Sequence, residues 1–169
     1  HISDYLLYSN NQGVRKVQIG KKVKSIGKYA FQYEASLNSV VFVGKDIKEL
    51  GTGCFYKCTG LKNIELPDSI TRLGVYCFED CIKLETIKLS NLLSEIPTRC
   101  FDNCESLKGI DIPESVTNVN SGALEGCSSL EYVHFSVNTK INKIDSSVFR
   151  DCVKLGRIDL PESIEEIGV

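Results

Sequence analysis

Eight cysteines are the residues of this 169-residue chain best suited to chemistry, since a thiol can attack, pair as a disulfide or ligate zinc. Their spacing decides between these uses. Cys58, Cys81, Cys104, Cys127 and Cys152 form one column with steps of 23, 23, 23 and 25 residues, and Cys54, Cys77 and Cys100 form a second with steps of 23. An even count suggests a disulfide framework. A column of five cannot pair fully within itself, however, and neighbours in a column need favourable Cβ vectors to bridge. Ala30, Ala123 and Val148 stand in the second column where cysteine is missing, so that slot behaves as a small apolar core position. Buried, reduced thiols are the favoured reading, with some disulfide or zinc as the alternatives; no C-x-x-C knuckle is present for a metal.

Other chemistry has less to stand on. Beyond His1 the sole histidine is His134, in Tyr132-Val133-His134-Phe135, where alternation places it opposite the core-facing Val133 and Phe135. No nucleophile elbow, phosphate-cradling glycine loop or metal-spaced histidine cluster occurs, and the carboxylates are scattered as on a solvated surface. The expectation is a protein that is not an enzyme and has no cofactor, metal or catalytic residue.

The elements that place these residues repeat. Phe55–Cys77 and Phe78–Cys100 are two 23-residue blocks matching at Phe55/Phe78, Cys58/Cys81, Leu61/Leu84, Ile64/Ile87, Leu66/Leu89 and Cys77/Cys100. Counted from the aromatic position, the blocks fall at Phe31, Phe55, Phe78, Phe101, Leu124 and Phe149. A period of this length means a solenoid, in which a short unit buries its apolar face only by stacking on its neighbours.

Within each block the L-x-x-I-x-L run ends in alternation, which predicts a short strand, and Pro67, Pro113 and Pro161 close three of these runs. The A/C-F-x-x-C-x-x-L run spaces its apolar residues by three and four, which predicts one or two turns of helix. Gly27, Gly51, Gly74 and Gly168 precede that turn, and a positive φ is the expected reason. Val14, Val17 and Ile19 fit an earlier block, predicting a further strand at 16–19 with Tyr8 in the aromatic place. Two extra residues near Val137–Lys140 predict a longer turn there. The chain is expected to be a single domain over 1–169, six full repeats with partial ones at each end. Its last residues stop mid-block, so that end is expected to continue, or to be covered by a tail, a partner or a second copy.

Blocks such as IPESVTNVNSGALEGCSSLEYV and LPDSITRLGVYCFEDCIKLETI resemble the BspA-like leucine-rich repeat, over about residues 14–169. The cysteine before the aromatic residue is most similar to versions from parasitic protists. The resemblance implies a right-handed solenoid arc, with a parallel sheet on its concave face and helical turns on the convex side. It also implies a non-catalytic role in protein recognition, often as a surface adhesin for host matrix proteins. Leu124 and Glu34 depart from the pattern but keep the register.

Composition limits the partners. The apolar share of 42%, charged share of 25%, net charge of −2 and pI near 5.8 supply no basic field for nucleic acid or an anionic membrane. No apolar run approaches the ~18 residues of a membrane span, and HISDYLLYSN has no signal-peptide pattern. Buried thiols and the lack of an Asn-x-Ser/Thr sequon favour the cytoplasm, whereas the resemblance favours the cell surface.

Two strand columns point away from the core and vary freely: Gln18, Val41, Glu65, Lys88, Asp111, His134, Asp159, and Lys16, Ser39, Asn63, Thr86, Gly109, Tyr132, Arg157. The expected binding residues are Glu65, Lys88, Asp111, Tyr132, His134, Arg157 and Asp159, with the patch from Asp111 to Asp159 favoured because Tyr132 lies beside Arg157. The expected function is a protein-interaction scaffold binding a protein or peptide across this face, such as a regulator of an intracellular enzyme like a phosphatase. A matrix-binding adhesin is the alternative.

Overall fold

The computed structural model describes residues 1–6 and 13–168. Its coils carry two kinds of strand in alternation. The longer ones are β1 (Lys16–Ile19), β3 (Ser39–Phe42), β5 (Asn63–Glu65), β7 (Thr86–Lys88), β9 (Gly109–Ile112) and β11 (Tyr132–Phe135). Between and after them lie two-residue strands: β2 (Ser25–Ile26), β4 (Glu49–Leu50), β6 (Arg72–Leu73), β8 (Glu95–Ile96), β10 (Asn118–Val119), β12 (Lys143–Ile144) and β13 (Glu166–Ile167). All pairing is parallel and joins equivalent residues of successive coils, as in Glu65 opposite Lys88 and Val119 opposite Ile144. The longer strands bond as three pairs, β1–β3, β5–β7 and β9–β11, which stand side by side. The strand foreseen at 16–19 is β1, and the longer turn near 137–140 is present, with Val137 almost fully exposed at 95%. Tyr8 lies outside the described residues.

The core is a stack of columns. The first Leu of each L-x-x-I-x-L run from Leu37 to Leu130 is fully buried, as are the aromatic-column residues Phe55, Phe78, Phe101 and Leu124. The Phe rings lie nearly parallel at centroid separations of 5.4 Å (Phe31–Phe55 and Phe55–Phe78) and 5.5 Å (Phe78–Phe101). The third edge of the solenoid is not helical. Residues two before and two after each aromatic position take positive φ, from Tyr29 and Tyr33 through Gly122 and Gly126 to Ser147 and Asp151. Their N–H groups, and that of the aromatic residue between them, point to the next coil: Gly53 N donates to Val75 O, Phe55 N to Cys77 O and Lys57 N to Glu79 O. The intervening N–H groups close four-residue turns, such as Cys54 N to Gly51 O and Tyr56 N to Gly53 O. Left-handed residues four apart therefore give a helix-like spacing in sequence while sending half the donors across to a neighbour, which a helix cannot do.

Two further expectations are corrected. Gly27, Gly51, Gly74 and Gly168 do not take positive φ; they are small because coils touch there, and a Cβ on Gly74 would lie 2.2 Å from Thr52 N. Residues 155–160, the last L-x-x-I-x-L run, form no strand, and Leu160 is exposed.

Each cysteine of the column of five donates its S–H to the carbonyl of the aromatic-column residue one coil earlier: Cys58 to Phe31 (3.0 Å), Cys81 to Phe55 (3.2 Å), Cys104 to Phe78 (3.3 Å), Cys127 to Phe101 (3.2 Å) and Cys152 to Leu124 (3.1 Å). That is why the slot holds cysteine rather than alanine: it is a small apolar filler that still offers a donor. All eight cysteines are free and buried. Desolvation pushes the thiols well up, least for Cys152, at about 11. We expect native protein at pH 8 to react with Ellman's reagent slowly, Cys152 first, and eight thiols to titrate on denaturation without reductant. A count near zero on denaturation would mean an oxidised protein and a different core.

Candidate interaction surface

Alternation on the longer strands seals one side chain in and turns the next out. Glu65, Lys88, Asp111 and His134 all face outward in register on β5, β7, β9 and β11, with Glu65 paired to Lys88 and Asp111 to His134. Charge alternates from Glu65 through Lys88 to Asp111, and His134 Nδ1 stands 3.5 Å from Asp111 Oδ1. In the neighbouring row Thr86 donates to Asn63 at 2.6 Å. Tyr132, 52% exposed, leans over Gly109, where a Cβ would lie 2.1 Å from its ring.

Where these strands end, the chain turns away and leaves three hollows in a row. The first is walled by Val41, Phe42, Glu65, Leu66, Pro67 and Lys88. Lys88 also borders the second, with Leu89, Asp111, Pro113, His134 and Val137. Val137 separates it from the third, lined by Phe135, Asp159, Pro161 and Glu162. At the first two, Pro67 and Pro113 do this locally, since each follows a ladder strand and directs the chain off the sheet.

Five of the seven residues expected from sequence, Glu65, Lys88, Asp111, His134 and Asp159, therefore border one run of hollows. Tyr132 and Arg157 do not line them. Arg157 turns onto Asp159 at 2.7 Å, on the segment 155–160 that forms no strand. Sequence reasoning missed the hollows themselves, although the prolines closing the strands were their signal. It also missed Val137, whose exposure follows from the two inserted residues. Among the described residues no group of three His, Cys, Asp or Glu side chains could hold a metal, and no helix is long and apolar enough to cross a membrane.

The sequence profile described as BspA type leucine rich repeat region matches in six copies over residues 1–131 and 48–169. No curated protein matches the chain. Among solved structures, a leucine-rich repeat protein of T. pallidum is similar at 27% identity and a TM-score of 0.85, over 98% of this chain and 76% of that one. A leucine-rich repeat protein from Bacteroides ovatus is similar at 25% identity and a TM-score of 0.87, over 99% of this chain and 43% of the other. One from Eubacterium ventriosum, at 23% identity and a TM-score of 0.83, shares the fold over 92% of this chain and 41% of its own length. The chain thus spans about three quarters of the first and less than half of the other two.

Proposed function

We propose a function from one premise: the chain belongs to the BspA-type leucine-rich repeat family. It acts, as one domain over 1–169, as a non-enzymatic scaffold that holds a protein or extended peptide against the outward strand face. The observation that carries this reading is the row of hollows along the strand ends, bordered by the alternating charges of Glu65, Lys88 and Asp111 and by the His134 ring. A fixed ladder supplies rigid spacing, the proline-walled hollows supply apolar contact, and the charges supply register. Tyr132 is the aromatic anchor at the margin of this face. Eight buried, unpaired thiols support use in a reducing compartment, where the partner would be an intracellular enzyme under regulation rather than a host matrix protein.

The test uses partners recovered from source-cell lysate on the immobilised full chain. Lys88→Glu and Asp111→Lys, both exposed positions, are expected to leave the thermal midpoint nearly unchanged and to weaken a recovered partner about tenfold or more, with Tyr132→Ala acting likewise. Unaltered capture by all three variants would exclude this face. Unfolding of the two charge variants would show that those side chains face inward. A second copy of the chain or a matrix protein as the partner would replace the regulatory reading.

A further inference from the structure

On the opposite, turn-built edge of the first four coils lies a separate recess of about 380 Å³, lined by Tyr29, Gln32, Tyr33, Tyr56, Tyr76, Glu79 and Arg99. Nothing in the scaffold demands tyrosine here. The column after the aromatic position reads Gln32, Tyr56, Glu79, Asp102, Glu125 and Arg150 from coil to coil, so the repeat accepts almost any polar residue there. Yet four of the seven tyrosines of the chain converge on this one recess, a fifth, Tyr5, stacks on Tyr29 at 5.4 Å, and the chain has no tryptophan. The rings are held. Tyr33 meets Tyr56 edge-on at 5.5 Å, Tyr29 meets Tyr56 edge-on at 6.5 Å, and Tyr29 lies across Gly53, where a Cβ would collide with its ring.

Charge around the recess narrows the ligand. Lys57 Nζ already sits over one face of the Tyr56 and Tyr33 rings, at 5.3 and 5.9 Å, and its charge opposes a quaternary ammonium there. Glu79 in the lining and Asp80, 3.9 Å from Lys57, oppose an anion. Arg99 is engaged with Asp102 at 3.7 Å. Charges of both signs surround the recess and favour neither an anion nor a cation, and its lining offers ring surface, most exposed at Tyr33 (53%), together with the flat hydrogen-bonding groups of Gln32, Glu79 and Arg99. Burial, reinforced by Asp102 and Asp80, pushes the Glu79 carboxyl up to about 7, so near neutrality it can offer either a donor or an acceptor. Rings to lie against C–H faces, flanked by planar groups that can both give and accept hydrogen bonds, match a polyhydroxylated ring without net charge.

We propose that the Tyr29–Tyr33–Tyr56–Tyr76 recess is a binding site for a neutral saccharide, independent of the strand face. The full chain is applied to a glycan array carrying neutral, sialylated and sulfated saccharides, and the strongest neutral ligand is then titrated by tyrosine fluorescence, which no tryptophan obscures. Retention of neutral glycans is expected, with affinity falling about tenfold in Tyr76→Ala and in Tyr29→Ala, and unchanged in Tyr132→Ala on the far face. Tyr76→Phe keeps the ring and should bind within about threefold of the wild type, which separates loss of the site from loss of the fold. Retention of no glycan, retention of anionic glycans only, displacement by choline, or full binding by Tyr76→Ala would each overturn the assignment. Because Tyr132→Ala tests the strand face, failure of one site leaves the other standing.

Discussion

Phe78→Ala will lower the unfolding free energy by about 3–5 kcal/mol, the range for removing a fully enclosed aromatic side chain. Phe78 is completely buried and lies between Phe55 at 5.4 Å and Phe101 at 5.5 Å, with interplanar angles of 11° and 9°. Truncation removes its own apolar burial and both ring contacts, each of which adds about 0.5–1.5 kcal/mol beyond area. The hole cannot close easily, because the backbone on either side is pinned: Phe78 N donates to Cys100 O and Phe78 O accepts from Cys104 Sγ. Against a typical total of roughly 5–15 kcal/mol, the loss would leave the middle of the stack near its limit. The chain carries its own control. Leu124 fills the same column two coils later, fully buried, so Phe78→Leu should cost no more than about 1.5 kcal/mol. Urea unfolding followed by circular dichroism measures both. A cost below about 1 kcal/mol for Phe78→Ala would mean that the ring column does not hold the coils together.

Phe78 also shows how much could be read before any coordinates. A column filled once per turn is visible as spacing, so the solenoid, the strand at 16–19, the inward Leu, Ile and Phe positions and the outward Glu65–His134 row were all legible. Spacing does not report handedness of the backbone. A run with apolar residues three and four apart fits an α-helix equally well as it fits paired four-residue turns with Tyr29, Lys57 or Asn103 in the left-handed region. Those residue types gave no warning, because only some of these positions hold Gly, Asn or Asp, the residues enriched at positive φ. The glycines misled in the opposite direction. At Gly74 the constraint is a neighbouring coil's backbone, a contact 22 residues away in sequence that no local pattern encodes. The hollows depend on how far the chain departs after Pro67 and Pro113, and the tyrosine recess on side chains from four coils meeting at one edge. Both are tertiary facts.

Within the six full repeats Glu34 is where the cysteine column breaks, and replacing it should stabilise the protein. Its side chain is as enclosed as the cysteines it stands in for, at 2% exposure, yet Oε2 has no hydrogen-bond partner. Leaving such a group unsatisfied costs about 1–3 kcal/mol. Glu34→Cys restores the residue that the register specifies, and an increase of about 2 kcal/mol at pH 8 is expected. The dependence on pH identifies the cause. Burial raises the Glu34 carboxyl above its ordinary value, so the folded chain holds that proton more tightly than the unfolded chain. Stability of the wild type is therefore favoured below the unfolded pKa and falls as pH rises through the folded one. The advantage of Glu34→Cys should accordingly be smallest at pH 4 and grow toward pH 8, whereas a gain from better packing would be the same at both. Unfolding curves at the two pH values separate these outcomes. No gain at either would show that Glu34 has a partner in solution and belongs to the scaffold rather than interrupting it.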